Sequence, residues 1–161
     1  MVDVRKVSRE VTVTPTITVG NYTASTTLGN VKELDVSQRG GNTVTLDCIK
    51  FLDKARQSAE MQLFFFTEDP SSGVSGDKTE FNINDTTMEK CAGVVNIFSC
   101  DYAQSKSNSF SNIRNIGLDM LSASGNFWVV AKVLENAAYT AVNNLVFTYD
   151  FTFNYSGGGG E

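Results

Sequence analysis

The most regular feature of the chain is an alternation of apolar and polar positions with a period of two. From Asn144 to Tyr155, Leu145, Phe147, Tyr149, Phe151, Phe153 and Tyr155 fall on one side. Val146, Thr148, Asp150, Thr152 and Asn154 fall on the other, which predicts a long strand with one buried face. The same period near the amino end sets Val11, Val13, Pro15, Ile17 and Val19 against Thr12, Thr14, Thr16 and Thr18. Pro15 cannot donate to a ladder, so this strand is expected at a sheet edge or interrupted there. Thr43 to Leu52 alternates through Val44 and Leu46 and then loses step near Cys48 and Ile49, the signature of a bulge. Met61 to Thr67 is apolar on both sides and reads as the most central strand. Its Phe64-Phe65-Phe66 triple cannot place every ring on one face, so the second face needs a covering sheet, loop or subunit.

Shorter strands are expected at residues 31–36, 81–83, 94–100, 112–121 and 127–134, separated by turn-forming Gly, Ser and Asn clusters. Asn84 to Thr87 with Glu89 predicts one short helix running to Cys91 and stopped by Gly93. The sum is about eight or nine strands and at most one short helix, an all-β antiparallel sandwich or open barrel. The expected organisation is an arm over residues 1–10, a β-sandwich domain over 11–155, and a flexible Gly-rich tail over 156–161.

Composition narrows function chiefly by exclusion. The 161 residues, 41% hydrophobic, suffice for one domain with a real core. There is no histidine, which removes the commonest general base and zinc ligand and every His-dependent triad. A net charge of −5 argues against a surface for phosphate backbones or anionic lipid, so neither nucleic acid nor membrane is an expected partner. No apolar run approaches the roughly 18 residues of a membrane span, and the start lacks the pattern of a secretory signal. Cys48, Cys91 and Cys100 are odd in number and widely spaced, with no metal knuckle; they are expected as buried thiols.

The acidic residues Glu68, Asp69, Asp77 and Glu80 offer oxygen ligands of the kind calcium takes, but their spacing matches no EF-hand loop and solvated carboxylates are expected. No acid pair at a glycosidase spacing is readable. The expectation is a protein without catalytic residues, metal or cofactor. Trp128 and Tyr22, Tyr102 and Tyr139 are candidates for sugar stacking, with core packing favoured for Trp128 in its FWVVAKV run. The basic residues Arg5, Lys6 and Arg9, with Lys54 and Arg56, are the candidate contacts to an acidic partner surface.

Three ordered segments carry a likeness beyond composition: IKFLDKARQSAEMQLFFFTEDP, then FNINDTTMEKCAGVVNI, then NIGLDMLSASGNFWVVAKVLENAAYTAVNNLVFTYDF. Over residues 11–153 the chain resembles head decoration (cement) proteins of tailed bacteriophages. The resemblance implies a jelly-roll-like sandwich that binds the major capsid protein on the outside of the assembled head, as a homo-oligomer, dimer or trimer. It implies synthesis in the host cytoplasm and residence in the virion. A tail, baseplate or neck component and a carbohydrate-binding sandwich module are the alternatives.

Overall fold

The computed structural model describes residues 4–36 and 43–156, with side chains described over 6–36 and 43–153. Twelve strands lie among the described residues. They are β1 (Val4–Val13), β2 (Gly20–Tyr22), β3 (Thr27–Leu34), β4 (Thr43–Asp53), β5 (Met61–Phe66), β6 (Cys91–Ile97), β7 (Tyr102–Gln104), β8 (Ser109–Ile113), β9 (Leu118–Leu121), β10 (Phe127–Val133), β11 (Ala137–Tyr139) and β12 (Leu145–Ser156). A one-turn helix, α1 (Asp85–Met88), and a single 3₁₀ turn at Ser99–Asp101 complete the inventory.

The pairing is that of one long hairpin rolled up. Antiparallel rungs join β1 to β12, β3 to β10, β4 to β8 and β9, and β5 to β6. Rolling then brings β12 beside β4 and β10 beside β5. The result is two facing sheets, β1-β12-β4-β8-β7 with β9 continuing beside β4, and β3-β10-β5-β6. This strand order is a jelly roll, so the all-β antiparallel sandwich is the observed fold.

The alternation in β12 does what its sequence predicts: Leu145, Phe147, Tyr149 and Phe151 are buried between the sheets, while Val146, Thr148, Asp150 and Thr152 are less covered. The core is aromatic. Phe147 stacks on Phe51 at 4.2 Å, and contacts across the two sheets join Phe65 to Tyr149 at 5.7 Å and Phe127 to Phe151 at 6.3 Å. Along β4 the buried positions are Val44 and Leu46, then Ile49, Phe51 and Asp53. The step is taken at Asp47, which has no partner on β12 between the pairs Phe151–Leu46 and Asp150–Cys48. The bulge expected near Cys48 is therefore present.

Phe65 faces the sandwich interior, whereas Phe64 and Phe66 lie on the outer face of the four-stranded sheet. A loop covers them: Val74, Phe81 and Ile83 from the connection between β5 and β6 pack there with Val31, Val130 and Trp128. Asn84 caps α1 inside this connection, its side-chain oxygen accepting from Thr87 N at 2.8 Å. Gly73 sits so close to the helix that a Cβ would run into Thr87 Oγ1, so only glycine lets the cover close.

Several boundaries differ from the sequence reading. The expected arm over 1–10 is largely strand, since β1 begins at Val4 and pairs with β12 from Val4–Ser156 onward. β1 ends at Val13, ahead of Pro15, although burial keeps alternating through Pro15 and Ile17. The strand expected at 112–121 is two, β8 and β9, parted where Asn115 and Gly117 both take positive φ. α1 ends at Met88 and Gly93 belongs to β6, because pairing with β5 already holds the chain from Cys91. Residues 81–83 form only an isolated bridge, Val74–Ile83. Cys100 is exposed, not buried, because the 3₁₀ turn lifts it off the sheet. Residues 1–3 and the tail over 157–161 lie outside the described residues.

Candidate interaction surface

The two outer faces of the sandwich differ. The four-stranded sheet is roofed by the β5–β6 connection, while the outer face of the six-stranded sheet is uncovered by any other described element. Strand register orders this open face into rows. Val146, Leu52, Phe110 and Ala103 stand side by side across β12, β4, β8 and β7, an apolar row in which Phe110 is 41% exposed. The next row is Thr12, Thr148, Lys50 and Asn112, with the Thr12 and Thr148 hydroxyls 3.0 Å apart. Beyond it lie Glu10, Asp150 and Cys48, then Ser8, Thr152, Thr45 and Asp119. Leu121, 55% exposed, closes the far corner opposite Thr43.

Charge on this face is mixed and locally paired. Lys50 Nζ lies 3.2 Å from Glu10 Oε1 and 3.9 Å from Asp150 Oδ2. The hydrogen bond from Lys50 holds the Glu10 carboxyl below its ordinary range, and the same bond raises Lys50. Burial pushes Asp150 up, and its Oδ1 is buried with no hydrogen-bond partner among the described residues. Asn112, with its carboxamide oxygen turned toward Arg114, accepts from Nε at 3.1 Å and Nη2 at 3.2 Å. The face thus carries apolar positions flanked by charges of both signs.

The basic residues singled out from sequence do not form one patch. Lys6 and Arg9 are exposed on β1, at the end of the sheet beside residues 44–48 and 150–154. Arg5 lies on the same strand opposite Tyr155, with its side chain outside the described residues. Lys54 and Arg56 follow β4 at the other end, Lys54 six residues beyond Cys48, a separation of about 20 Å along an extended strand. There Arg56 is exposed and donates to Lys106 O at 3.5 Å and Gln104 Oε1 at 3.4 Å.

Nor do the aromatic candidates make a sugar platform. Tyr22 and Tyr139 are each 1% exposed and meet edge to face at 5.7 Å. Tyr102 is half-buried and donates to Ala59 O at 2.6 Å, and Trp128 is packed under the roof of the four-stranded sheet. Asp77 is a clamp: Thr18 N and Oγ1, the Tyr22 hydroxyl and Gly29 N all donate to it at 2.7–3.0 Å. Glu68 pairs with Lys90 at 3.3 Å, Asp69 accepts from Ser71 N at 3.0 Å, and Glu80 is exposed. Among the described residues no group of three or more Cys, Asp and Glu could hold a metal ion, and no helix is long and apolar enough to cross a membrane. The crevice between the sheet edges at Val13, Leu28 and Tyr149 has a volume of about 10 Å³, room for about one water.

Burial raises the tyrosine hydroxyls of Tyr22, Tyr102, Tyr139 and Tyr149 above their ordinary range. A folded pKa above the unfolded value of about 10 leaves stability intact below pH ~10 and removes it as pH rises further. An ultraviolet titration is expected to show these four phenols ionising together with loss of fold. Smooth ionisation of all tyrosines near pH ~10 in a protein whose near-ultraviolet dichroism stays native would contradict this burial.

No family model matches the chain, and no curated protein matches it in sequence. Among solved structures it overlays a chain of the Israeli acute paralysis virus particle with a TM-score of 0.29 and 8% identity, covering 94% of this chain and 71% of that one. For the Nora virus structure the TM-score is 0.30 at 10% identity, covering 92% of this chain and 55% of that one. For the Kashmir bee virus virion it is 0.29 at 9% identity, covering 93% and 70%. At such scores no role is carried over from these particles.

Proposed function

We propose that this protein is a non-enzymatic decoration, or cement, protein of a tailed-bacteriophage head, binding the major capsid protein on the outer surface of the assembled shell. The observation that carries the reading is the contrast between the two faces: one sheet is covered over most of its outer face by its own loop, with Val94 left exposed on β6, and the other presents an apolar row beside paired charges. The segmental likeness to decoration proteins supports the same reading.

The mechanism is differential binding. A protein that contacts several capsid subunits at once binds only where the lattice places them together, and so stabilises the assembled state over its parts. Each contact is modest; simultaneous contacts multiply affinity. The apolar row supplies the desolvated centre and Lys50, Glu10 and Arg114 its polar surround.

The test is cosedimentation with capsid shells lacking this protein. Phe110→Asp, on the open face, is expected to weaken binding by about tenfold or more, a loss of about 1.4 kcal/mol. Val94→Asp, an exposed apolar position on the opposite sheet, is expected to bind as the parent does. Loss with Val94→Asp and retention with Phe110→Asp would overturn the choice of face.

A further inference from the structure

β1 is an edge strand: it pairs with β12 on one side, and no described strand pairs with the other. Ten residues long, with Lys6 to Glu10 all exposed, it presents a row of unpaired backbone groups that would template another strand. From the charge pattern along this edge we infer that β1 pairs antiparallel with β1 of a second copy, about a two-fold axis through Ser8. The second copy is independent of the capsid reading, since it rests on this edge alone.

Register decides the occupant. Lys6, Ser8 and Glu10 share the outer face of the sheet with Asp150 and Thr152, and Val7 and Arg9 lie on the inner face. In a continuous sheet two identical strands meet with like faces aligned, so register moves in steps of two. Centred on Ser8, the pairing sets Lys6 opposite Glu10 of the second copy and Glu10 opposite its Lys6, with Ser8 facing Ser8 and Val7 facing Arg9. Two opposite-charge pairs form and no like charges lie directly opposite each other.

Sliding one strand by two residues sets position 5 against position 9, both arginine, or Arg9 against itself. Sliding by four sets Lys6 against Lys6 or Glu10 against Glu10. Each alternative is penalised by repulsion across the pair. Charges on an edge ordinarily discourage pairing; here they discourage all of these registers but one, which is how a specific self-contact is built. Glu10 also lies 3.2 Å from Lys50, which reaches it across β12 from the side away from this edge, so the carboxylate would be shared between Lys50 and the second copy's Lys6. The arrangement is isologous and closes at two copies. It also joins the open faces of both copies into one continuous surface.

The experiment is sedimentation of the full chain, with cysteine cross-linking. The parent is expected to be a concentration-dependent dimer. Lys6→Glu, which turns both attractive pairs repulsive, is expected to raise the dissociation constant by about tenfold. In a Cys100→Ser background, Ser8→Cys is expected to cross-link across the two-fold on mild oxidation, because facing Cα atoms lie about 4.5–5.5 Å apart. Lys6→Cys is expected not to cross-link to itself. A parent monomeric at every soluble concentration, a dimer indifferent to Lys6→Glu, or equal cross-linking by Lys6→Cys would each overturn the inference. Were Lys6→Glu to lose its fold, the cross-linking pair still decides. A solution monomer found in many copies on virions would remove the dimer and leave the capsid role standing.

Discussion

Phe147→Ala is expected to destabilise the fold by about 3–5 kcal/mol, lowering the thermal midpoint by about 10 °C or more. Phe147 is 2% exposed near the start of β12, stacked on Phe51 at 4.2 Å and aligned with Tyr149 at 6.0 Å. Truncation removes a ring from a contact already close-packed, and neighbours held in strand ladders on both sides cannot collapse into the gap. β12 is paired on one side with β1 and on the other with β4, so loosening it loosens the whole six-stranded sheet. Phe147→Leu keeps most of the volume and is expected to cost about 1 kcal/mol. Calorimetry or thermal dichroism reads both; a loss below 1 kcal/mol for the alanine variant would show that this layer of the core is not packed as described.

Asp77→Ala is the second large effect, expected at about 3 kcal/mol, and its cause is polar. The carboxylate receives Thr18 Oγ1 and the Tyr22 hydroxyl at 2.7 Å each, and Gly29 N at 2.7 Å. Removing it leaves the Tyr22 hydroxyl proton, on a side chain 1% exposed, and the Gly29 amide without an acceptor, each costing about 1–3 kcal/mol of unmet hydrogen bonding, although the Tyr22 oxygen still accepts from Thr18 N. Asp77→Asn keeps one acceptor but aims a donor at donors, so an intermediate loss is expected. In a double-mutant cycle with Tyr22→Phe the two losses are expected to be less than additive, because the phenylalanine leaves no hydroxyl to orphan. Full additivity would mean that the two side chains do not share an interaction. Added calcium is expected to leave the midpoint unchanged, since the oxygens already have protein donors; a calcium-dependent rise would instead make Asp77 a ligand.

These two residues also mark what a sequence exposes and what it hides. Phe147 was legible, because a strand with one buried face writes its pattern directly as alternation. The bulge at Asp47 was legible for the same reason, as a break in step between Leu46 and Ile49. Asp77 was not: its donors lie 48 to 59 positions away, and nothing local separates a clamp from a solvated loop acid. The start of β1 was hidden differently. Residues 6–10 are exposed on both faces at the sheet edge, so no apolar period announces the strand, and its only signature is long-range pairing with β12. The Phe64-Phe65-Phe66 triple correctly demanded a second cover, but which of sheet, loop or subunit provides it is decided by the chain between Glu68 and Lys90.

The interaction surface was the least legible part. Val146, Leu52, Phe110 and Ala103 come from four strands and meet only through register, as do Glu10, Lys50 and Asp150. The basic residues proposed from sequence, chosen by charge alone, fall at opposite ends of the sheet. Charge names candidates; the ladder decides which of them are neighbours.

The proposed role on a phage head is tested most directly by quantitative mass spectrometry of purified virions, giving copies of this chain per major capsid subunit. A ratio near one, or a simple fraction such as one third, is the predicted result, because a decoration protein repeats with the lattice it binds. A few copies per particle would place the protein at the tail or neck instead, and its absence from virions would contradict the structural role altogether.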